Sequence, residues 1–379
     1  MTRLPLKGLL VLEFSQYLSG PSAGLRLADL GARVIKIERP GTGEAGRKLA
    51  IKDLWMGDDS MLFHTINRNK ESFTANLKNP GELAIIKKLL AKADVLIHNF
   101  RPEVMEKNGL GYEQVRFINP GLIYAAISGY GKTGPWKDKP GQDLLLQSMT
   151  GLAYTTGSHQ KGPVPFGLSI GDIMAGSQLV QGILAGLVRR QRTGIGALIE
   201  VSMLESLLDF QFELLTTYFT TEKQPQRSSI SNGQPLLSAP YGIYKTSDGY
   251  LAIAMMDLHQ LANAIGCDAL KSFSTDEAFA KRDEIKKVLA AHLANMPCDF
   301  WLDLLHREGL WAMKVFNWQE MANEESYKVL GMEQTIKSGS GNMITTRCPI
   351  RINGKKFYSD KAAPLVGQHN QKILEELAT

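Results

Sequence analysis

Apolar and polar positions along the first half of the chain alternate between two periods. Residues 9–14 (LLVLEF), 33–38 (RVIKIE), 94–97 (DVLI) and 122–127 are short apolar-rich runs and residues 71–77 (ESFTANL) alternate, and all five predict strands. Between them the apolar positions fall at helical spacing, predicting helices over residues 23–30, 81–91, near 103–108 and over 143–152. Strands and helices alternating at this spacing imply a parallel sheet covered on both faces. Ligands of such sheets lie beyond the carboxyl ends of the strands.

The pattern changes at residues 163–206. An extended run, PVPFGLSIG, leads to Asp172, and Ile173, Met174, Leu179, Val180, Ile183, Leu184, Leu187 and Val188 then recur near 3.6-residue spacing. Arg189 and Arg190 fall where the last turn should be, Thr193-Gly194-Ile195-Gly196 marks a stop, and residues 197–203 predict a strand. Asp172 is therefore expected at or next to a helix N-cap. There the first N–H groups would keep its carboxylate ionised and could hold the oxyanion of a reacting carbonyl. An Asp at that place is ordinarily only a cap. Here Ala175 leaves no capping box, and Gly167, Ser169, Gly171 and Gly176 crowd the position as they would where a ligand approaches backbone.

Beyond residue 204 a long apolar helix is expected to reach 221, and a polar Ser/Gln-rich stretch, 222–235, reads as a linker. Residues 241–254 read as a hairpin around Ser247-Asp248-Gly249. Helical patterns cover 257–265, 277–294 and 298–308, and strand and turn signals return after 350. The expected organisation is α/β: a Rossmann-like parallel-sheet large domain (1–221), a linker (222–235), a smaller α+β domain (236–325) and a return segment (326–379) completing the large domain.

Composition narrows the class. The chain has 379 residues, 44% of them hydrophobic and 21% charged, and no apolar run of membrane-spanning length is read from it. Glu13 interrupts the N-terminal apolar run, which reads as a strand and not a signal peptide. Three widely spaced cysteines fit reduced thiols in a cytoplasmic protein, and a net charge of +5 suits an anionic small molecule without forming a nucleic-acid footprint. No nucleic-acid or membrane partner and no metal site is expected. An H-E-x-x-H motif and a phosphate loop of the G-x-x-x-x-G-K-[ST] type are both missing. Gly20 and Gly24 flank Pro21 where a dinucleotide fingerprint would need G-x-G-x-x-G, so the βαβ start resembles a Rossmann half without NAD.

Candidate ligand groups fall at the strand ends: Arg39 after the second strand, and Asn99, Phe100 and Arg101 after the fourth. Gln16 and Tyr17 lie in the first strand-to-helix turn. His98 and His159 are the histidines nearest a possible site, and a satisfied structural histidine is the better account of each. The residues alone support an α/β enzyme or a binding protein for an anionic ligand, centred on Asp172.

The ordered set PLKGLLVLEF (5–14), Gly20-Pro21, LGARVIKIERPG (30–41), Asn67-Arg68-Asn69-Lys70, Ala93-Asp94-Val95-Leu96, Asn99-Phe100-Arg101-Pro102, ISGYG (127–131), Gly171-Asp172 and Thr193-Gly194-Ile195-Gly196 resembles the class III coenzyme A-transferase family almost end to end. The resemblance implies that Asp172 is a nucleophile that attacks an acyl-CoA thioester and passes through an aspartyl anhydride and an aspartyl-CoA thioester. It implies coenzyme A or acyl-CoA as substrate, with no tightly bound cofactor, a small carboxylate acceptor and an interlocked homodimer. Arg39, Asn99, Phe100, Arg101 and Lys107 match positions that meet the CoA nucleotide, and Asn76, Leu77 and Lys78 match a strand edge near the adenine. Gln16, Leu18, Ser19, Gln142 and Asp143 complete the expected pocket. Leu18 replaces a Gln of the formyl-CoA enzymes, Asn232-Gly233-Gln234-Pro235 replaces their glycine run, and both changes point away from formate and oxalate. Gly309-Leu310-Trp311-Ala312-Met313 replaces a Gly-x-Pro pattern at the acceptor end. The α-methylacyl-CoA racemase branch carries a catalytic His where this chain has Gln142, which cannot act as a base. A non-catalytic CoA- or nucleotide-binding protein is the remaining alternative.

Overall fold

The five alternating segments of the first half and the strand that follows Gly196 form six parallel strands. The computed structural model describes residues 4–339, 341–359 and 361–379. Its large sheet consists of β1 (Leu10–Glu13), β2 (Arg33–Glu38), β3 (Glu71–Thr74), β4 (Val95–His98), β5 (Ile123–Ser128) and β6 (Ala197–Ser202). They lie in the order β3-β2-β1-β4-β5-β6, with every neighbouring pair parallel. The order reverses direction between β1 and β4. In an open parallel sheet that reversal opens a crevice at the carboxyl ends of the two strands, because their outgoing connections turn to opposite faces.

The two faces are built from alternate strand residues. Leu12, Phe14, Ile35, Ile37, Phe73, Leu96 and Tyr124 pack with Ile86, Leu89 and Leu90 of helix α2 (Pro80–Lys92). The other face is covered by α1 (Ser19–Asp29) and by α4 (Ile170–Thr193), which follows α3 (Asp143–Met149) in the chain. Two glycines allow close approach there. A Cβ on Gly24 would lie 1.8 Å from Glu13 Oε2, and one on Gly176 would lie 2.3 Å from Ser22 Oγ and 2.7 Å from Ser19 O. The two helices therefore meet almost backbone to backbone beside the crevice.

Helix α1 starts four residues before the predicted start and takes Gly20-Pro21 into its first turn. Proline is tolerated there because the first turn's N–H groups have no intrahelical acceptor. Helix α4 corrects the expectation that nothing reaches membrane-spanning length. It has 24 residues and a window of mean hydropathy 1.2. Its apolar residues Ala175, Leu179, Val180, Ile183 and Leu187 are buried within the fold, while Ile173 and Val188 are exposed. The predicted helix over 204–221 is two helices, α5 (Met203–Phe210) and α6 (Phe212–Thr221), separated at Gln211.

The chain divides into two compact units. The first comprises Met1–Leu146, Ser169–Phe210 and Leu330–Thr379, and the second comprises Gln147–Leu168 and Gln211–Val329. In the first, the C-terminal segment covers the outer edge of β3: Ser72 N–H donates to His369 Nδ1 at 3.2 Å and Thr74 N–H to Asn370 Oδ1 at 2.9 Å. This satisfies backbone groups that an open sheet edge would leave exposed. The second unit carries the predicted hairpin, β7 (Gly242–Lys245) and β8 (Tyr250–Ile253), extended by β9 (Ala312–Lys314) into an antiparallel sheet. Its core joins Tyr244, Leu251 and Ile253 to Leu258, Leu261, Leu289, Trp301 and Leu305 from its helices.

Candidate active site

Asp172 is the third residue of α4, whose N-cap, Ser169, makes no side-chain capping bond. The sequence expectation that its own helix holds the Asp172 carboxylate ionised is not met. The N–H groups of Gly171 and Asp172 donate instead to Asp143 Oδ1, at 2.6 and 3.3 Å. Asp143, the first residue of α3, is the carboxylate that caps α4. Asp172 is left half-buried beside it, and its carboxyl is pushed up to about 6, first by burial and second by the Asp143 charge. The Ser19 hydroxyl and backbone N–H, facing the Asp172 carboxylate, pull in the opposite direction. The helix N-terminus that serves Asp172 is therefore that of α1, whose own N-cap residue, Leu18, offers no capping side chain.

The turn carrying Ser19 is held from three sides. Asn99, just past the end of β4, accepts the Gln16 N–H on Oδ1 at 2.8 Å. Its Nδ2 donates to Gln16 O at 2.7 Å and to Ser19 Oγ at 3.2 Å. From inside the fold, Lys36 Nζ donates to Ser15 O at 2.8 Å and Lys70 Nζ to Pro21 O at 2.9 Å. Glu44 Oε2 accepts the N–H of Tyr17, whose φ of +63° is left-handed and costly for a residue with a side chain. The two ammonium groups are paired in turn: Lys36 with Glu13 at 2.9 Å and Glu44 at 3.4 Å, and Lys70 with Glu13 at 2.7 Å. All four charged side chains are almost fully buried. Burial pushes Glu13 up, but Lys36 and Lys70 outweigh it and hold the carboxyl below the usual range.

This buried set is what the sequence reading missed. One signal was available: Glu13 and Lys36 each interrupt an apolar strand, and they stand opposite each other in the β1–β2 register. Glu38, the acid that closes β2, is likewise held inside the fold. It is buried and bonded twice by Arg47, Nη2 to Oε1 and Nε to Oε2 at 2.7 Å each, and once by Ser72 at 2.7 Å.

The other candidates take distinct places. Arg39, Lys78 and Arg101 lie just past the carboxyl ends of β2, β3 and β4, exposed, and none forms an ion pair among the described residues. Asn76, Leu77 and Lys78 form a turn after β3, in which Asn76 Oδ1 accepts the Lys78 N–H at 3.1 Å. Phe100 is half-buried and stacks at 6.3 Å on His98. Lys107 points to solvent and pairs with Glu103 at 3.0 Å. Gln142 is exposed beside Asp143, while Leu18 and Gln16 are half-buried in the turn. His98 is buried, and burial followed by Lys132 pushes its imidazole down to about 3, so it stays neutral. His159 bonds the Arg227 carbonyl at 3.2 Å in the second unit. Among the described residues no group of His, Cys, Asp and Glu could hold a metal ion.

A half-buried carboxylate with a raised pKa, helix-terminal donors facing it and free cations at adjacent strand ends suit acyl chemistry on a phosphorylated carrier. Comparison with known proteins points the same way. Residues 6–370 match the family model of CoA-transferase family III. The acetyl-CoA:oxalate CoA-transferase of Acetobacter aceti is 36% identical over 99% of this chain and 96% of its own. The succinyl-CoA:glutarate CoA-transferase of Mus musculus is 32% identical over 98% and 86%. The crystal structure of a CAIB/BAIF family protein from Brucella suis superposes with a TM-score of 0.86 at 29% identity, covering 99% of this chain and 100% of that one. The chain belongs to CoA-transferase family III.

Proposed function

We propose that this enzyme moves coenzyme A from an acyl-CoA donor to a small carboxylic acid, with Asp172 as the nucleophile. The Asp172 carboxylate attacks the thioester carbonyl, and the C–S bond breaks to leave an acyl-aspartyl anhydride and CoA thiolate. The thiolate attacks the aspartyl carbonyl and releases the donor acid, leaving an aspartyl-CoA thioester. The acceptor carboxylate then attacks that thioester, forming a second anhydride and freeing the thiolate again. Attack of the thiolate on the acceptor's carbonyl gives the new acyl-CoA and restores Asp172.

The observation that carries this reading is the electrostatic position of Asp172. With a pKa of about 6 it is mostly ionised at neutral pH yet more basic than an ordinary carboxylate, and both properties favour attack. The Ser19 donors suit the negative charge that develops on the aspartyl carbonyl when thiolate or acceptor adds. Arg39, Lys78 and Arg101 are the proposed partners of the nucleotide phosphates, and Asn76, Leu77, Phe100 and Lys107 flank that end. Gln16, Leu18, Gln142 and Asp143 are proposed to lie along the acyl end. Relatives named for oxalate, glutarate and succinate make small dicarboxylates the acceptor class to screen, oxalate included.

The working unit is proposed to be an interlocked homodimer in the cytoplasm. Trp311, Met313 and Trp318 of the second unit are 69, 56 and 85% exposed, more apolar surface within a few residues than a chain acting alone commonly shows. Light scattering at working concentration reads the assembly directly. The central test of function is chemical: quench the enzyme with acyl-CoA present, trap with hydroxylamine, and map the adduct by mass spectrometry. A label on the Asp172 peptide is expected, and Asp172→Ala should lose transfer while still binding CoA. Transfer without any label on that peptide would overturn the assignment.

A further inference from the structure

Asn99 lies at the reversal point of the sheet, between the two strands whose ends open the crevice. Phe14 N–H donates to Ile97 O at 2.7 Å, so the chain leaving β4 runs directly alongside the turn leaving β1. The orientation of the Asn99 carboxamide is fixed by chemistry. The Gln16 N–H requires an acceptor and the Gln16 carbonyl requires a donor, which Oδ1 at 2.8 Å and Nδ2 at 2.7 Å supply. With that orientation set, the second Nδ2 proton meets Ser19 Oγ at 3.2 Å. A hydroxyl that accepts on one lone pair still has one proton to donate; Asp172 lies one turn before Gly176, whose Cβ position is 2.7 Å from Ser19 O, so the Asp172 carboxylate is the one on the face of α4 turned to Ser19.

We infer that Asn99 is a positioning residue: it binds the Ser19 hydroxyl from behind and aims its single proton at the Asp172 carboxylate, leaving coenzyme A to other groups. The inference rests on the reading of Asp172 as nucleophile. It departs from the expectation that Asn99 meets the CoA nucleotide, because its amide oxygen and both amide protons are already engaged by the turn. The remaining contacts of the turn act in the same sense. Lys36, Glu44 and Lys70 hold Ser15, Tyr17 and Pro21 from within the fold, so the Gln16–Ser19 segment has little freedom to adjust if Asn99 is removed. During turnover the aimed O–H faces the carboxylate before attack and the aspartyl carbonyl oxygen afterwards, so one donor serves both states.

The test uses the full-length enzyme and three variants: Ser19→Ala, Asn99→Ala and the double variant. The rate of adduct formation on Asp172 is measured across pH, and CoA affinity is measured separately by calorimetry. Losing one hydrogen bond to the charged form raises a carboxylate pKa by ~1, so Ser19→Ala should move the acid limb up by about that much. Asn99→Ala should move it in the same direction, and the double variant should match Ser19→Ala alone, since Asn99 acts through the hydroxyl. CoA affinity should stay within about twofold in all three. Weakened CoA binding in Asn99→Ala with an unmoved acid limb would make Asn99 a CoA contact and overturn the inference. An unmoved limb in Ser19→Ala would overturn it as well, even if Asn99→Ala failed to fold. If the parent enzyme turns over without labelling Asp172, the nucleophile assignment fails first, and that outcome is distinguishable because it appears before any variant is compared.

Discussion

Replacing Asp172 by Asn should make the protein more stable as it makes it inactive. An aspartyl carboxyl ordinarily titrates near 3.8, and this one sits at about 6 in the fold because burial and Asp143 disfavour its charge. A carboxyl whose folded pKa is raised binds its proton more tightly in the native state. It therefore costs nothing well below 3.8, and it costs stability progressively as pH rises towards 6. Above that pH the full cost applies, ~3 kcal/mol at about 1.4 kcal/mol for each tenfold gain in proton affinity. Asn keeps the shape and carries no charge, so Asp172→Asn should gain ~3 kcal/mol at about pH 7.5 but only ~1 kcal/mol at about pH 4.5. Thermal unfolding of both proteins at one fixed concentration and at both pH values reads the difference, since assembly would otherwise shift the midpoint. A gain that is the same at both pH values would trace to packing, not charge. No gain at either would mean that the Asp172 carboxylate is not electrostatically strained, and the case for its enhanced nucleophilicity would fall with it.

Two further outcomes follow from the geometry. Arg39→Ala and Arg101→Ala each remove an exposed, unpaired cation at a strand end, so each should raise KM for acyl-CoA by ~10-fold at low salt and less at high salt, with kcat little changed. Gly176→Ala places a Cβ 2.3 Å from Ser22 Oγ and 2.7 Å from the Ser19 carbonyl, so α1 must move away from α4; a loss of ~1–3 kcal/mol in denaturant unfolding is expected, with kcat falling because Ser19 moves with its helix.

The hydrophobic pattern located the parallel sheet well because each strand is a local run whose burial repeats every second residue. β2 spans the predicted 33–38, and β1, β4, β5 and β6 differ from prediction by a residue or two at an end. What escaped was set by contacts between distant segments. The start of α1 was misplaced because Gly20-Pro21 reads locally as a turn, whereas in the fold Gly20 packs against Ser15 at the crevice. Asp172 was located from its own helix, but the donors facing it belong to a helix that begins more than a hundred residues earlier in the chain. Asp143, which takes the α4 N–H groups, is likewise separated from them by 28 and 29 residues. No local spacing rule can report such a pairing.

The arrangement also explains why two acids stand at one helix start when one would cap it. If Asp172 itself accepted the N–H groups of α4, those bonds would favour its charged form and lower its pKa, leaving a stable but unreactive carboxylate. Asp143 takes those donors instead, and its charge then works on Asp172 in the opposite direction. Asp172 is left with a smaller set of donors from α1, aimed at the carboxylate but insufficient to cancel burial and repulsion. A carboxylate in that balance stays ionised at neutral pH while keeping much of its basicity, the combination that attack on a thioester requires. Asp143→Asn isolates the effect, since the amide oxygen can still accept the Gly171 N–H while the charge is gone. It should lower the Asp172 pKa and move the acid limb of adduct formation downward, while the rate on the pH plateau falls as the nucleophile becomes less basic. A plateau rate that rises as the limb moves down would show that ionisation, and not basicity, limits attack, and would refute the role given to the paired acids.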